Sequence, residues 1–331
     1  MSRPAVPPAI DALPRFVLFD GPSPMHPLPR FSAALGGGVE VWIKREDLLP
    51  LAFGGNKLRN LEFLVGAALA EGADTLVTSG RRWSNHCRLT AAAGARAGLD
   101  VHLVLSGPPL DEPGANQRLD AMLGATVHVA ATDQRSERAA LVERVTADLR
   151  RAGKRPYVVE VGGSGPIGVA GQVLAGIEAI GQARAGGVEP SAIVLPSATG
   201  GTQAGILAAT RLTGSDARVV GIAVAAPSDE LGPKIARLLA ELAPLTGVDV
   251  DSAEIELSDA ERGPGYGTQT PDADGAATLL ARTEGIFVDP VYTAKALAGL
   301  VARARDERLR GPILFWHAGG TPALFEVLPG E

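Results

Sequence analysis

LPSATGGTQAG, residues 195–205, reads as an apolar strand that enters a glycine-rich turn and leaves it as a helix. Such a turn aims several backbone N–H groups at one point, where the dipole of the following helix also favours an anion. Thr199, Gly200, Gly201 and Thr202 stand where they can cradle a phosphate. The glycines do not have the spacing of a P-loop or of a dinucleotide site, and read alone the turn is equally a tight connection.

The same pattern recurs outward in both directions. Strand-like runs at 39–44, 75–78, 101–105, 126–129, 157–161, 192–195, 219–224 and 313–316 alternate with helical patterns at 57–70, 86–97, 135–151, 168–183 and 202–212. Alternation of this kind predicts an α/β fold with mostly parallel sheets flanked by helices. Helices on both faces explain why the strands are apolar throughout. A chain of 331 residues exceeds the roughly 100–200 residues of one domain, so two are expected. The runs 36–38 and 261–274 read as loops, and the second carries a tyrosine, which makes it a candidate active-site loop.

Composition narrows the function. Hydrophobic residues at 46% and charged residues at 21% fill a folded core, which excludes a disordered chain. A formal charge of −6 leaves no basic footprint for nucleic acid or an anionic membrane. A single cysteine, Cys87, rules out an internal disulfide, and no metal-ligand cluster accompanies it, so no metal is expected. The proline-broken N-terminus and the lack of a long apolar run predict a cytoplasmic protein without a spanning helix.

Three further segments carry candidate chemistry. In FGGNKLRNLEF, residues 53–63, Lys57 opens an amphipathic helix, the end of the helix dipole that disfavours a cation. Burial there would lower its pKa and make the amine nucleophilic; a solvated surface lysine is the competing reading. In SGRRWSNHCR, residues 79–88, Ser84 and Asn85 sit at a helix N-cap, where capping alone accounts for them. The functional reading gives Ser84 a carboxylate to grip and Asn85 a cofactor hydroxyl, with His86 and Trp83 on the substrate side and His86 and Cys87 otherwise as packing. Tyr266 and Tyr292 lie in turn-rich contexts; each is a general acid if its pKa is lowered, or else a packed aromatic.

Together and in this order the segments resemble the family of 1-aminocyclopropane-1-carboxylate (ACC) deaminase and D-cysteine desulfhydrase, pyridoxal-phosphate enzymes of fold type II related to the tryptophan synthase β subunit. The resemblance runs over about 28–325 and rests on IKREDL (43–48), GGNKLRNLE (54–62), SNH (84–86), GGSGPIG (162–168), TGGTQAG (199–205), GPGYG (263–267), DPVYTAKA (289–296) and HAGGTPALF (317–325). It implies that Lys57 is the Schiff-base lysine and that the turn Thr199–Gly200–Gly201–Thr202 holds the phosphate. It also implies Asn85 beside the phenolic oxygen, Ser84 at the substrate carboxylate, Tyr266 and Tyr292 as the active-site tyrosines, and Thr293 facing the pyridine nitrogen.

In the deaminases of that family the residue after the second tyrosine is a glutamate. Thr293 stands there in this chain, which resembles the desulfhydrase branch and implies a weaker electron sink suited to prompt β-elimination. The implied reaction on D-cysteine yields pyruvate, sulfide and ammonia. ACC ring opening, β-replacement and racemisation are the alternatives on the same cofactor, and a non-catalytic or nucleotide-binding α/β protein is a remoter one. The resemblance also implies a homodimer, with a large domain of residues 1–53 plus 165–331, a small one of 54–164, and the cofactor between them. One departure stands out: the family reads GGxQSN where this chain has Gly80-Arg81-Arg82-Trp83-Ser84-Asn85, placing bulk and charge beside the carboxylate turn and casting doubt on D-cysteine as the substrate.

Overall fold

The computed structural model describes residues 6–107 and 112–326. Among these described residues ten strands form two sheets. In chain order they are β1 Met25–Pro27, β2 Glu40–Arg45, β3 Thr75–Arg81, β4 Asp100–Ser106 and β5 Thr126–Val129. Then follow β6 Pro156–Val158, β7 Ala192–Ser197, β8 Arg218–Ala223, β9 Glu256–Ser258 and β10 Pro312–His317. A six-stranded sheet has the order β1-β2-β10-β7-β8-β9 and a four-stranded sheet the order β5-β4-β3-β6. Each of these pairings is parallel except β1 on β2. The α/β architecture expected from the apolar runs is the one present.

The helices are α1 Pro8–Asp11, α2 Pro29–Leu35, α3 Lys57–Ala70, α4 Asn85–Ala97, α5 Ala115–Met122 and α6 Arg135–Arg151. After them come α7 Pro166–Ala185, α8 Gly201–Thr213, α9 Ser228–Thr246, α10 Pro271–Glu284 and α11 Thr293–Arg305. None is long and apolar enough to cross a membrane among the described residues. Burying central strands such as β7, whose six residues are all inside, takes apolar side chains from both faces. Cores therefore form on each side of the large sheet, one with α7, α8 and α9 and the other with α10 and α11.

The α3 helix joins the two sheets. Its Leu58, Leu61 and Leu64 enter the core beneath the four-stranded sheet, while Phe63 joins the core of α7 and α8. Close approach is enforced by glycine: a Cβ on Gly171 of α7 would lie 2.0 Å from the carbonyl oxygen of Arg59.

Three local expectations need correction. The run 157–161 is not all strand; β6 ends at Val158, and Val161–Gly163 forms a 3-10 turn with Gly162 at φ 72°. The loop 261–274 ends early because Thr270 caps α10, its side chain accepting from the Ala273 N–H. Strand β3 outruns its expected end at Thr78, pairing as far as Arg81 with Ser106, so Ser79, Gly80 and Arg81 are sheet and not loop.

Candidate active site

One cavity of about 560 Å³ has Lys57, Ser84, Asn85, His86, Thr199, Gly200, Thr202, Tyr266 and Tyr292 in its wall. The residues come from both sheets. Strands β3 and β7 end at it, and the turns after them open α4 and α8, the usual place for a ligand in parallel α/β structures.

Lys57 is the first residue of α3. The chain reaches it through Ala52 and Phe53 at φ 46° and 64° and then Gly54 and Gly55, all in the left-handed region. This bend is held from outside: the Arg88 guanidinium donates to the Ala52 and Gly54 carbonyls, and Gly55 lies so close to Gly319 that a Cβ on the latter would sit 2.6 Å from the Gly55 Cα. The amine is partly open because it faces the cavity. Yet the cavity is deep, and desolvation pushes its pKa down to about 8 with no carboxylate among the described residues to offset it. A neutral amine is then available near physiological pH. Cofactor capture by the apo protein should therefore accelerate with pH, by about ninefold from pH 7 to pH 9 as the neutral fraction rises from a tenth to nine tenths. Stopped-flow absorbance after addition of pyridoxal phosphate measures this, and a rise of about a hundredfold across that range, the slope of an amine at the ordinary pKa of 10.5, would show that the amine is not desolvated.

The other wall is the turn at the start of α8. Gly200 caps the helix at φ 86°, and its missing Cβ leaves room that Ile235 of α9 would otherwise contest at 2.6 Å. A second glycine-rich turn packs on the first: Ser164 Oγ bonds Thr199 Oγ1 at 2.6 Å, and a Cβ on Gly162 would meet that Thr199 oxygen at 2.8 Å. Asn56, the residue before Lys57, donates through Nδ2 to Thr202 Oγ1 at 2.9 Å, so lysine and turn are tied across the cavity. Gln172 secures that tie by donating to the Asn56 carbonyl at 2.8 Å. The buried Ser197 Oγ, in the same wall, has no partner among the described residues.

Ser84 and Asn85 form the third side. Ser84 caps α4, accepting from the Cys87 N–H at 3.2 Å, and Asn85 opens the helix. His86 is buried; its Nε2 bonds Thr78 Oγ1 at 2.9 Å, its Nδ1 has no partner among the described residues, and burial takes its pKa down to about 3, so it stays neutral. Burial likewise pushes Cys87 up to about 12, and the thiol is inert packing at neutral pH.

Tyr266 and Tyr292 meet hydroxyl to hydroxyl, their rings 5.8 Å apart edge to face. The sequence reading asked for a lowered phenol. Burial does the reverse, raising Tyr266 to about 12 and Tyr292 well above 10. Both phenols stay protonated at neutral pH and can donate.

Three expected site residues do not line the cavity. Trp83 is buried beside it, packing with Tyr266, Val291 and Ala323 and lying so near Gly267 that a Cβ there would meet the indole at 2.9 Å. It shapes the wall through Tyr266. Gly201 is covered by Ser164. Thr293 is wholly buried; its hydroxyl accepts from the Asp289 N–H at 2.8 Å and donates to the Asp289 carboxylate at 2.5 Å, which also takes the Tyr292 N–H. Its hydroxyl proton is committed to fixing the turn that aims Tyr292. Trp316, the other indole near a conspicuous motif, belongs to the core.

Comparison with known proteins places the chain in a family. The family described as "Pyridoxal-phosphate dependent enzyme" matches residues 17–319. A D-cysteine desulfhydrase of Yersinia pestis (strain Pestoides F) is 41% identical over 325 residues, 96% of each chain. The chain belongs to the pyridoxal-phosphate-dependent enzymes. The crystal structure of an ACC deaminase homologue superposes on this enzyme with a TM-score of 0.90 at 37% identity, covering 98% of this chain and 97% of that one. A threonine deaminase from T.th. shares the fold alone, with a TM-score of 0.66 at 21% identity over 90% of this chain and 92% of that one.

The cavity suits that cofactor on physical grounds. The enzyme presents an amine without a counter-charge, a glycine-rich helix start that takes an anion, and a buried hydroxyl, Ser197, still short of a partner among the described residues. Sequence reasoning missed Asn56, Ser164, Ser197 and Arg138 in this site. Asn56 and Ser164 lie inside the motifs GGNKLRNLE and GGSGPIG, which could have marked them, whereas Ser197 and Arg138 carry no motif signal and only the folded wall brings them in.

Proposed function

We propose that the enzyme is a lyase of the D-cysteine desulfhydrase type, which removes a leaving group from Cβ of a small amino acid and yields a keto acid and ammonia. Supporting this reading above all is the Lys57 amine, desolvated and without a carboxylate partner, in one cavity with two protonated phenols. Lys57 would hold the cofactor, and its amine would take the proton from Cα. The bound cofactor supplies an electron sink for the charge left on Cα. Ser84 and the first N–H groups of α4 would hold the substrate carboxylate, and Asn85 would help hold the cofactor. Thr199, Gly200 and Thr202 would hold the phosphate. Tyr292 or Tyr266 gives its proton to the departing group; burial keeps that proton in place at neutral pH and leaves each phenol a weak acid. Thr293 keeps Tyr292 in place through Asp289 and sits where the deaminases carry a glutamate.

The same reading carries a homodimer in the cytoplasm, with domains of 1–53 plus 165–331 and 54–164 centred on the two sheets; light scattering tests the dimer. For the reaction, purified holoenzyme should release sulfide and pyruvate in equal amounts from D-cysteine, and chloride and pyruvate from β-chloroalanine. Release of 2-oxobutanoate from ACC with no elimination from either compound would overturn the reading in favour of ring opening.

A further inference from the structure

The cavity wall holds six cationic side chains, Lys57, Arg81, Arg135, Arg138, Lys234 and Arg237, against one carboxylate among the described residues, Glu160. At the rim Lys234 and Arg237 face Glu230 at 3.9 Å and Glu241 at 3.5 Å. Arg138 differs from these. It is 7% exposed, it donates to the neutral Ser106 hydroxyl at 2.7 Å, and no carboxylate pairs with it among the described residues. A guanidinium taken from water and left with one neutral acceptor is costly, and buried charges are as a rule paired. Beside it stands Arg81, at the end of β3, whose ion pair among the described residues is with Asp133, itself half exposed. Both guanidiniums lie near enough to Tyr266 to act on its phenol electrostatically.

These arginines are not placed for the cofactor phosphate. They belong to β3 and α6 on the four-stranded sheet, whereas the phosphate turn follows β7 of the other sheet. Nor does the amino acid's own carboxylate call for them, since the start of α4 at Ser84 supplies its donors. What remains beside the phenols is the place of the group on Cβ.

We infer that the enzyme selects amino acids that carry a second anion on Cβ, a sulfonate or phosphate ester, gripped by Arg81 and Arg138. The inference rests on the elimination proposed above and names its substrate class. The Cα proton passes to Lys57, and the bond from Cβ to the anionic group breaks with its electron pair leaving on that group. One water then completes the conversion to pyruvate and ammonium, with bisulfite or phosphate as the other product and no net change in oxidation state. A forked guanidinium matches such an oxyanion with two parallel hydrogen bonds.

The test compares cysteate and O-phosphoserine, each in both enantiomers, with the uncharged β-chloroalanine on the holoenzyme, by pyruvate release. Wild type should turn over at least one anionic substrate. Arg81→Gln or Arg138→Gln should lower its kcat/KM by about 10²-fold relative to that for β-chloroalanine, chiefly through KM, with Arg81→Lys intermediate. Calorimetric binding of the same anionic substrate to the full-length Lys57→Ala protein, which does not turn it over, should weaken to the same extent when Arg81→Gln is added. If wild type eliminates chloride but leaves every anionic substrate intact, the inference fails and the lyase reading stands. A parallel loss on charged and uncharged substrates in the arginine variants would also overturn it, since the arginines would then hold the common carboxylate. Should no compound react, the lyase reading falls and the inference with it.

Discussion

Lys57→Ala protein purified with pyridoxal phosphate should lack the visible absorbance of a lysine-bound cofactor, and its keto-acid release should fall by on the order of 10³-fold or more. The side chain has two duties in the proposed chemistry, covalent hold on the cofactor and proton removal at Cα; Lys234, the other lysine in the wall, sits 3.9 Å from Glu230 at the rim. The other lysine with a strongly lowered pKa, Lys295, is tied to the Arg262 carbonyl at 2.7 Å and is not in the cavity wall. Loss of fold would not explain the effect. Burial lowers the pKa of Lys57 to about 8, so the folded apo protein gives up a proton before the unfolded chain does and gains stability as pH rises from about 8 toward 10.5. Below that window the desolvated charge weighs against folding, and its removal should leave the thermal midpoint at pH 7 no lower than that of apo wild type. A yellow Lys57→Ala protein with an intact midpoint would remove Lys57 from the site.

Glu46→Ala should destabilise the protein by about 3–5 kcal/mol, because it breaks a buried ion pair and strands its partner. Arg59, two residues beyond Lys57 on α3, donates to both Glu46 oxygens at 3.0 and 2.8 Å and to both Glu178 oxygens at 2.8 Å. Lys44, wholly buried on β2, donates to Glu178 and to Gln182 at 2.5 Å, and Ser23 donates to Glu46 at 2.5 Å. Two buried cations therefore share two carboxylates where β2, α3 and α7 meet. Removing one carboxylate leaves the two cations with Glu178 alone. At roughly 2–4 °C per kcal/mol the midpoint should fall by on the order of 10 °C, and cofactor affinity should fall with it, since the same helix begins at Lys57.

The sign with pH follows. Burial works to raise the Glu46 pKa, but Arg59 and its hydrogen bonds outweigh burial and leave it below the ordinary value. The stabilisation is complete above the unfolded pKa of about 4.5 and disappears as pH falls through the lowered one. Acid unfolding of wild type should accordingly be steeper than that of Glu46→Ala. Equal midpoints in the two proteins at pH 7 would show that the network does not hold α3.

Much of this was legible beforehand where local physics decides the outcome. Strand β5 lies where the apolar run 126–129 put it, and α3 and α6 keep their expected bounds. The helix over 228–246 has Pro233 and Pro244 inside it and was not named; its apolar face, packed on α8, outweighs two lost hydrogen bonds. Thr293 and Trp83 show the opposite limit. Their places in a motif marked them for the cavity, yet an aspartate four residues back takes the threonine hydroxyl, and a glycine at 267 opens a slot for the indole.

The amino-acid sequence by itself determined the α/β class, because alternating apolar runs and short glycine-bearing turns encode backbone geometry locally; its ordered motifs, by resemblance, gave the cofactor family and marked Lys57 as the candidate. Tertiary structure alone decided that Arg138 is buried without a counter-ion among the described residues, in the same cavity wall as two touching phenols. Charge and pKa depend on distances between residues far apart in the chain, and only the packing of two sheets sets those distances.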